Sequence, residues 1–260
     1  MVTPVRRVSA QAKRRPYFWG SLAALAVSIV IGGTAAFWVF PQRASASNCD
    51  FTYTPNTVAT DNPDYNAHHG VSSTSMHVYN YDVTCIHISS LEADNGTVSP
   101  DWMEVGWVDA DNGLPYSVDN CTFTGDDHPH VIRIKVRNGT ESCTVYNGSP
   151  YVLTGGTDHS FGVADQNGDM SWTFTFDGTQ LGAQDGNNFS LGASETNGER
   201  HSTTESADAH FAGLRYMATD GWHPWAQVKC FKAVSDDPVY NNQRVSDTEV
   251  NVSNNPPVCP

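Results

Sequence analysis

The dipeptide Asn-Gly recurs along this chain, and each copy is a strong signal for a tight turn between two extended runs. It stands at residues 95–96, 112–113, 138–139, 147–148, 167–168 and 197–198. The runs between these turns alternate in polarity, as His130–Arg137 and Ser171–Asp177 do. No segment after residue 47 keeps a helical period over three turns. The pattern therefore predicts an all-β protein built from many short strands, a sandwich or a barrel.

The N-terminal residues 1–46 are predicted to lie outside that β domain. Basic side chains precede an uncharged run from Phe18 to Phe40, and a small-x-small site follows that permits cleavage after Ala46. This order is typical of a secretory signal peptide. The run is also long enough to cross a bilayer, so a retained signal anchor is the alternative. We expect a secreted, extracellular protein, or a membrane-anchored one with the domain outside.

The charge is strongly asymmetric along the chain. Six of the 14 basic residues and none of the 28 acidic ones precede Ser47, so the remaining 214 residues carry a net charge near −20. Nucleic-acid partners are excluded, because they require a basic face. Membrane contact is expected only through an uncleaved N-terminal segment. We predict a monomer with a loop-rich lead-in at residues 47–75, a β-sandwich domain at 76–235 and an irregular tail at 236–260.

The cysteines and acidic loops give no metal or cofactor site. An even count of six cysteines in an exported chain predicts up to three disulfides, and Cys121–Cys143, which flank one hairpin, are the one local pair that we predict. The Asp-rich runs 109–113 and 165–169 lack the EF-hand register, and His201, Glu205 and His210 match no zinc template. We expect no cofactor and no metal.

One predicted strand, Asp101–Trp107, carries a carboxylate in an unusual setting. Alternation places Met103, Val105 and Trp107 on one face, and leaves Glu104 on the other between Trp102 and Gly106. Gly106 has no side chain, so it predicts open space beside Glu104 for a ligand's backbone.

A second carboxylate is predicted to complete a site. We expect the Asn-Gly turn at residues 197–198 to deliver Glu199 at the head of the following segment. Two carboxyl groups that face each other across a groove can separate their pKa values, so that one acts as general acid and the ionised one activates water. Such a pair needs no metal and works best in acid.

A family resemblance rests on five stretches that come in a matching order. They are Asp101–Trp107, the Cys121…Cys143 region, Met170–Gly182, Asn197-Gly198-Glu199 and Ala209-His210-Phe211. Together they resemble the neprosin-type domain, over roughly residues 92–218. The resemblance implies an antiparallel β-sandwich of the concanavalin-A-like, jelly-roll type, and a glutamic peptidase that hydrolyses peptide bonds in peptide or protein substrates.

The resemblance also implies roles for individual residues. Glu104 and Glu199 would be the catalytic pair, and Trp102, Trp107, Arg200 and His201 are the residues that we expect to contact substrate. Two positions depart from the family pattern. Asn197 stands where the family has the first glycine of a Gly-Gly pair, and Arg200 follows the glutamate, where its charge would favour an ionised Glu199 and hence a base.

Two alternatives to a peptidase remain open. The first is a non-catalytic, lectin-like sandwich whose aromatic side chains Trp102, Tyr116, Trp222 and Trp225 stack on the sugar rings of a glycan. The second is a disulfide-stabilised extracellular domain with a purely structural role, in which the tryptophans pack in the core.

Overall fold

The protein is described from a computed structural model. The described backbone comprises residues 56–58, 68–80, 85–95, 101–110, 116–118, 121–123, 128–200, 206, 208–225, 232–234 and 241–253, all within the compact unit Ala46–Pro260. Side chains are described for 68–80, 85–95, 101–110, 128–200, 206, 208–225 and 245–253. The predicted signal or anchor segment, residues 1–46, lies outside them, and none of the described residues forms a helix that could span a membrane.

Nineteen strands make up the regular structure of the described residues. In chain order they are β1 Asn56–Val58, β2 Gly70–Val78, β3 Ile86–Asp94, β4 Trp102–Ala110, β5 Tyr116–Val118, β6 Cys121–Phe123, β7 His130–Arg137, β8 Thr140–Tyr146, β9 Thr157–Ala164, β10 Ser171–Phe176, β11 Thr179–Gln180, β12 Asp185–Gly186, β13 Ala193–Arg200, β14 Ala209–Ala212, β15 Arg215–Ala218, β16 Gly221–Pro224, β17 Lys232–Val234, β18 Asn241–Ser246 and β19 Glu249–Ser253. No described residue is helical, so the all-β prediction is confirmed.

The strands form two large antiparallel sheets that pack face to face. Sheet I has the order β17-β1-β13-β3-β4-β7-β8, and sheet II follows β11-β10-β9-β2-β14-β19-β18, with β12, β15 and β16 attached at its side. Strands β5 and β6 form a separate pair. Residues from both sheets share one apolar core. The architecture is therefore the predicted antiparallel β-sandwich.

The core forms where apolar faces of the two sheets meet. Sheet I contributes Leu91, Met103, Val105 and Trp107, and sheet II contributes Val71, Val163, Trp172, Phe174 and Phe211. The alternation predicted for β4 and β10 is confirmed, because their apolar faces both enter this core.

Strand β7 behaves differently. Its apolar side chains Ile132 and Ile134 belong to a second cluster on the face of sheet I that points away from sheet II, which we call the outer face. Arg133 lies on the other face, where its guanidinium lies 5.4 Å from the ring centroid of Phe174 and pairs with Asp185 at 3.0 Å. Alternation alone does not say which face meets the partner sheet.

Several predicted boundaries are wrong. The Asn197–Gly198 pair is not a turn: both residues lie inside β13, which pairs with β3 on one side and β1 on the other. Pairing on both edges extends the backbone and overrides the local turn preference. By contrast, Asn138 and Gly139 have φ of 52° and 70° and form the β7–β8 hairpin turn as predicted.

The lead-in and the tail also differ from their predictions. β2 begins at Gly70, inside the predicted lead-in, and β18 and β19 lie inside the predicted irregular tail. β19 is held because Val250 and Val252 alternate inward and reach the core. Cys85 and Cys143 each take part in a disulfide bond. The pairing Cys121–Cys143 stays a prediction, since the side chain of Cys121 is not among those described.

Candidate functional site

Three adjacent strands of sheet I bring carboxyl groups together on the outer face. Glu104 in β4 is directly opposite Glu92 in β3, and Glu92 is directly opposite Glu195 in β13. Leu91, Met103 and Val105 point into the core, so their alternating neighbours Glu92 and Glu104 point outward. We call Glu104, Glu92 and Glu195 the carboxyl row.

Two further rows run parallel to it across the same strands. The middle row consists of Gly106, Ser90 and Asn197, and the third row consists of Val108, Ile88 and Glu199. Glu104 and Glu199 therefore lie on one face, on opposite sides of the middle row. Their Cα atoms are separated by two strand spacings, roughly 10 Å, and by four residues along the strands, about 14 Å.

Glu104 is a buried carboxyl group. Its side chain is only 7 % exposed, and the Ser90 hydroxyl donates a hydrogen bond to its Oε1 at 2.5 Å. The pKa of Glu104 is raised to about 7, mainly by burial. The negative charges of Glu199 and Glu141 act in the same direction, while the Ser90 hydroxyl and the Trp102 indole N–H favour the ionised form and oppose the rise. Glu104 is therefore protonated in acid, and Glu199 is close enough to act on its charge.

Glu92 is the second carboxyl group with a displaced pKa. Burial and then the charges of Glu195, Glu104 and Asp94 hold the pKa of Glu92 well above its usual range. The Asn197 side chain opposes this, because its Nδ2 donates to Oε2 of Glu92 at 2.6 Å. Glu92 and Glu104 thus keep protons that isolated glutamates would lose.

The space predicted beside Glu104 is not open at Gly106 itself. A Cβ added there would overlap the carbonyl oxygen of Ser89 and lie 2.6 Å from the Cα of Ser90. Glycine is required at this position because the β3 backbone approaches closely, and not because a ligand does. The middle row is shallow all the same, since it holds only Gly106, Ser90 and Asn197.

We expect G106A to lower the free energy of unfolding by about 1–3 kcal/mol, because the added methyl group forces β3 and β4 apart. Urea unfolding measures the effect. Gly148 is the matched control, since a Cβ there meets nothing within 4 Å. Equal stabilities for G106A and G148A would contradict the close approach.

The structure separates the predicted substrate residues. Trp102 lies on the outer face, half-buried beside Glu104, as predicted. Trp107 does not: it is fully buried in the core, stacks on His87 with ring centroids 4.8 Å apart, and donates from Nε1 to the His77 carbonyl. The prediction that Trp107 contacts substrate is wrong, because Trp107 shares the face of Met103 and Val105, which points toward sheet II.

Arg200 is a second correction. It is 2 % exposed and follows Glu199 along β13, so its side chain leaves the opposite face of the strand and lies in register with His87. Its burial contradicts the predicted contact with substrate, while its predicted influence on the Glu199 carboxylate stays a prediction. His201 lies outside the described residues.

Glu92, Ser90, Asn197 and Glu195 were not predicted as site residues. The signal for two of them is present in the sequence, because Ser90 and Glu92 alternate with the apolar Leu91 and Ala93. Asn197 had no such signal, since its Asn-Gly context predicted a turn.

The acidic loop 165–169 is a capped turn. The buried carboxylate of Asp165 accepts hydrogen bonds from the backbone N–H groups of Asp169 at 3.2 Å and Met170 at 2.8 Å. Among the residues that the structure describes, no group of histidine, cysteine and acidic side chains is arranged to hold a metal ion.

No protein-family model and no curated protein matches the chain. Solved structures do. Two crystal structures of scytalido-glutamic peptidase, each with a transition-state analogue, match with TM-scores of 0.50 and 0.49 and sequence identities of 13 % and 12 %, covering 80 % of this chain and 98 % of theirs. The chain has a glutamic-peptidase-like fold. SCP-B, an Eqolisin-family peptidase bound to the tripeptide Ala-Ile-His, is similar over the same shares with a TM-score of 0.43 and 12 % identity.

These comparisons point to a broader group of proteins than the family that the sequence resembles. The match with a TM-score of 0.50 supports a glutamic-peptidase-like fold without singling out the neprosin type, so the neprosin resemblance stays a hypothesis. At 13 % identity the match shows the fold alone.

Proposed function

We propose that this protein is an acid-acting glutamic endopeptidase, working as an extracellular monomer, in which Glu104 is the general acid and Glu199 the general base. The observation that carries the proposal is Glu104: a buried carboxyl group with its pKa raised to about 7, on the same face as Glu199. A general acid must hold its proton at the working pH, and Glu104 does so throughout the acid range.

The proposed reaction needs only these two groups and water. Glu199, ionised, accepts a proton from a water molecule as its oxygen bonds to the scissile carbonyl carbon. Glu104 then donates its proton to the leaving amide nitrogen, and the C–N bond breaks. Proton transfer from Glu199 back to Glu104 restores the starting state. The peptide would lie over the middle row, between the two carboxyl groups.

The direct test is cleavage of a denatured protein between about pH 3 and 5, where Glu104 holds its proton. We expect fragments from the wild-type protein without added metal. A wild-type protein that is folded and inert across this range would exclude the function.

Ser90 offers a test of the acid's identity through pH dependence. Its hydroxyl favours the ionised form of Glu104, so S90A should raise the pKa of Glu104 above about 7. Since activity requires the protonated form, the alkaline limit of kcat/KM should move to higher pH by about one unit. S89A is the matched control, because Ser89 is a buried serine of the same strand whose hydroxyl bonds His87 on the other face. An unmoved limit in S90A would show that another group sets it.

A further inference from the structure

The Asn197 side chain is hydrogen-bonded at its nitrogen end, and no described residue bonds its oxygen end. It lies inside β13, paired with Ser90 of β3 and Asn56 of β1, and is 4 % exposed. Its Nδ2 donates to Glu92 Oε2 at 2.6 Å. Its Oδ1 is buried and has no hydrogen-bond partner among the residues that the structure describes.

A buried acceptor without a donor is unfavourable, so proteins rarely retain one without a use for it. The position is informative. The middle row contains Gly106, which has no side chain, and Ser90, whose hydroxyl is already donated to Glu104. Asn197 Oδ1 is therefore the acceptor of the middle row that lacks a donor among the described residues, and its row lies between those of Glu104 and Glu199.

The neighbouring groups limit what that molecule can be. An amide oxygen only accepts hydrogen bonds, and the bond from Nδ2 to Glu92 keeps the oxygen end turned away from the carboxyl row. The partner must therefore donate, as a backbone N–H does. Glu199, the proposed base, stands in the row beside it, and its negative charge repels an anionic segment.

We propose that Asn197 Oδ1 binds a backbone N–H of an extended peptide that lies over the middle row, with neutral or basic side chains next to the scissile bond. This rests on the proposed peptidase function for its substrate class. Asn197 is a binding residue here. It also positions Glu92, and Glu92 in turn fixes the orientation of the amide.

The test measures whether the Asn197 side chain and one backbone N–H of the ligand contribute to binding through the same hydrogen bond. A fluorescein-labelled decapeptide without acidic residues, and analogues in which one backbone amide after another is replaced by an ester, are titrated against wild type, N197A and the control T196A by fluorescence anisotropy. The control is matched, because Thr196 is the buried neighbour of Asn197 on the opposite face of β13.

At one position the ester should weaken binding to wild type and T196A by about three- to tenfold. N197A should bind the parent peptide more weakly than wild type by the same factor. Its affinity for that ester analogue should equal its affinity for the parent peptide. N197D keeps the acceptor oxygen and should keep the ester effect. Should N197A not fold, N197S replaces it, since the serine hydroxyl is too short to reach the same point.

An ester effect that is equal in wild type and N197A at every position would overturn the proposal. Displacement of the peptide by chitohexaose would also overturn it, in favour of a glycan.

Cleavage of the parent peptide is followed in parallel, so that the two proposals can fail separately. If cleavage occurs without any Asn197-dependent ester effect, the binding role is wrong and the peptidase stands. If the ester effect is present while wild type cleaves nothing, the peptidase is wrong and the binding role of Asn197 stands.

Discussion

Replacing Glu104 by glutamine, E104Q, is expected to lower kcat on denatured protein at about pH 4 by a factor of roughly 10²–10⁴. Glutamine has the size of glutamate and can still accept the hydrogen bond from Ser90, but it has no proton to give to the leaving nitrogen. Steady-state kinetics on one cleaved bond measure the loss. KM should change little, because the substituted group acts on the leaving atom.

E199Q should cause a loss of similar size, since the second carboxyl group is needed to activate water. The control is E249Q: Glu249 is a partly buried glutamate of sheet II that bonds His210 at 2.8 Å, away from the carboxyl row. It should retain wild-type activity. Full activity in either E104Q or E199Q would show that the pair does not catalyse the reaction.

E104Q should also change how stability depends on pH. The pKa of Glu104 is higher in the folded protein than the ordinary value of 4.5, so the folded state holds the extra proton between about pH 4.5 and 7. The stability from this group is complete below the unfolded pKa and is lost as the pH rises through the folded pKa. E104Q should therefore lose less stability than wild type between pH 4.5 and 7, which urea unfolding at both pH values measures.

W107A is expected to reduce the free energy of unfolding by about 3–5 kcal/mol, the largest effect on stability that we predict. The ring is fully buried between the sheets, so its removal leaves a cavity and exposes the stacked face of His87. It also leaves the His77 carbonyl without its Nε1 donor. Urea unfolding at fixed pH gives the difference.

W222A is the control for W107A, because Trp222 lies in β16 at the side of sheet II and is only partly buried. Its loss of stability should be clearly smaller. If W107A were as stable as wild type and differed only in KM, Trp107 would contact substrate after all, and its place in the core would be incorrect.

Strand alternation in the sequence predicts part of the arrangement around Glu104. Alternation over Asp101–Trp107 correctly placed Met103 and Val105 opposite Glu104, and it also implied that Trp107 shares their face. Applied to Glu199 and Arg200, the same rule would have separated their side chains. The Asn197-Gly198 pair, however, predicts a turn before Glu199.

The part of the site that the sequence does not predict depends on contacts between strands that are distant along the chain. Glu92 is adjacent to Glu104 because β3 and β4 pair in one particular register, and Asn197 reaches Glu92 because β13, about a hundred residues later, pairs on the other edge of β3. A shift of one residue in either register would turn these side chains to the core face.

The sequence by itself determined the fold class and which side chains of a strand share a face, because turn chemistry and the two-residue period of a strand are local properties. The tertiary structure alone decided which face meets the partner sheet, as Ile132 and Arg133 of β7 show. It also decided that Asn197 belongs to a strand and that Glu92, Glu104 and Glu195 form one row. Burial then raises the pKa of Glu104 to about 7, and burial depends on neighbours that no single strand can specify.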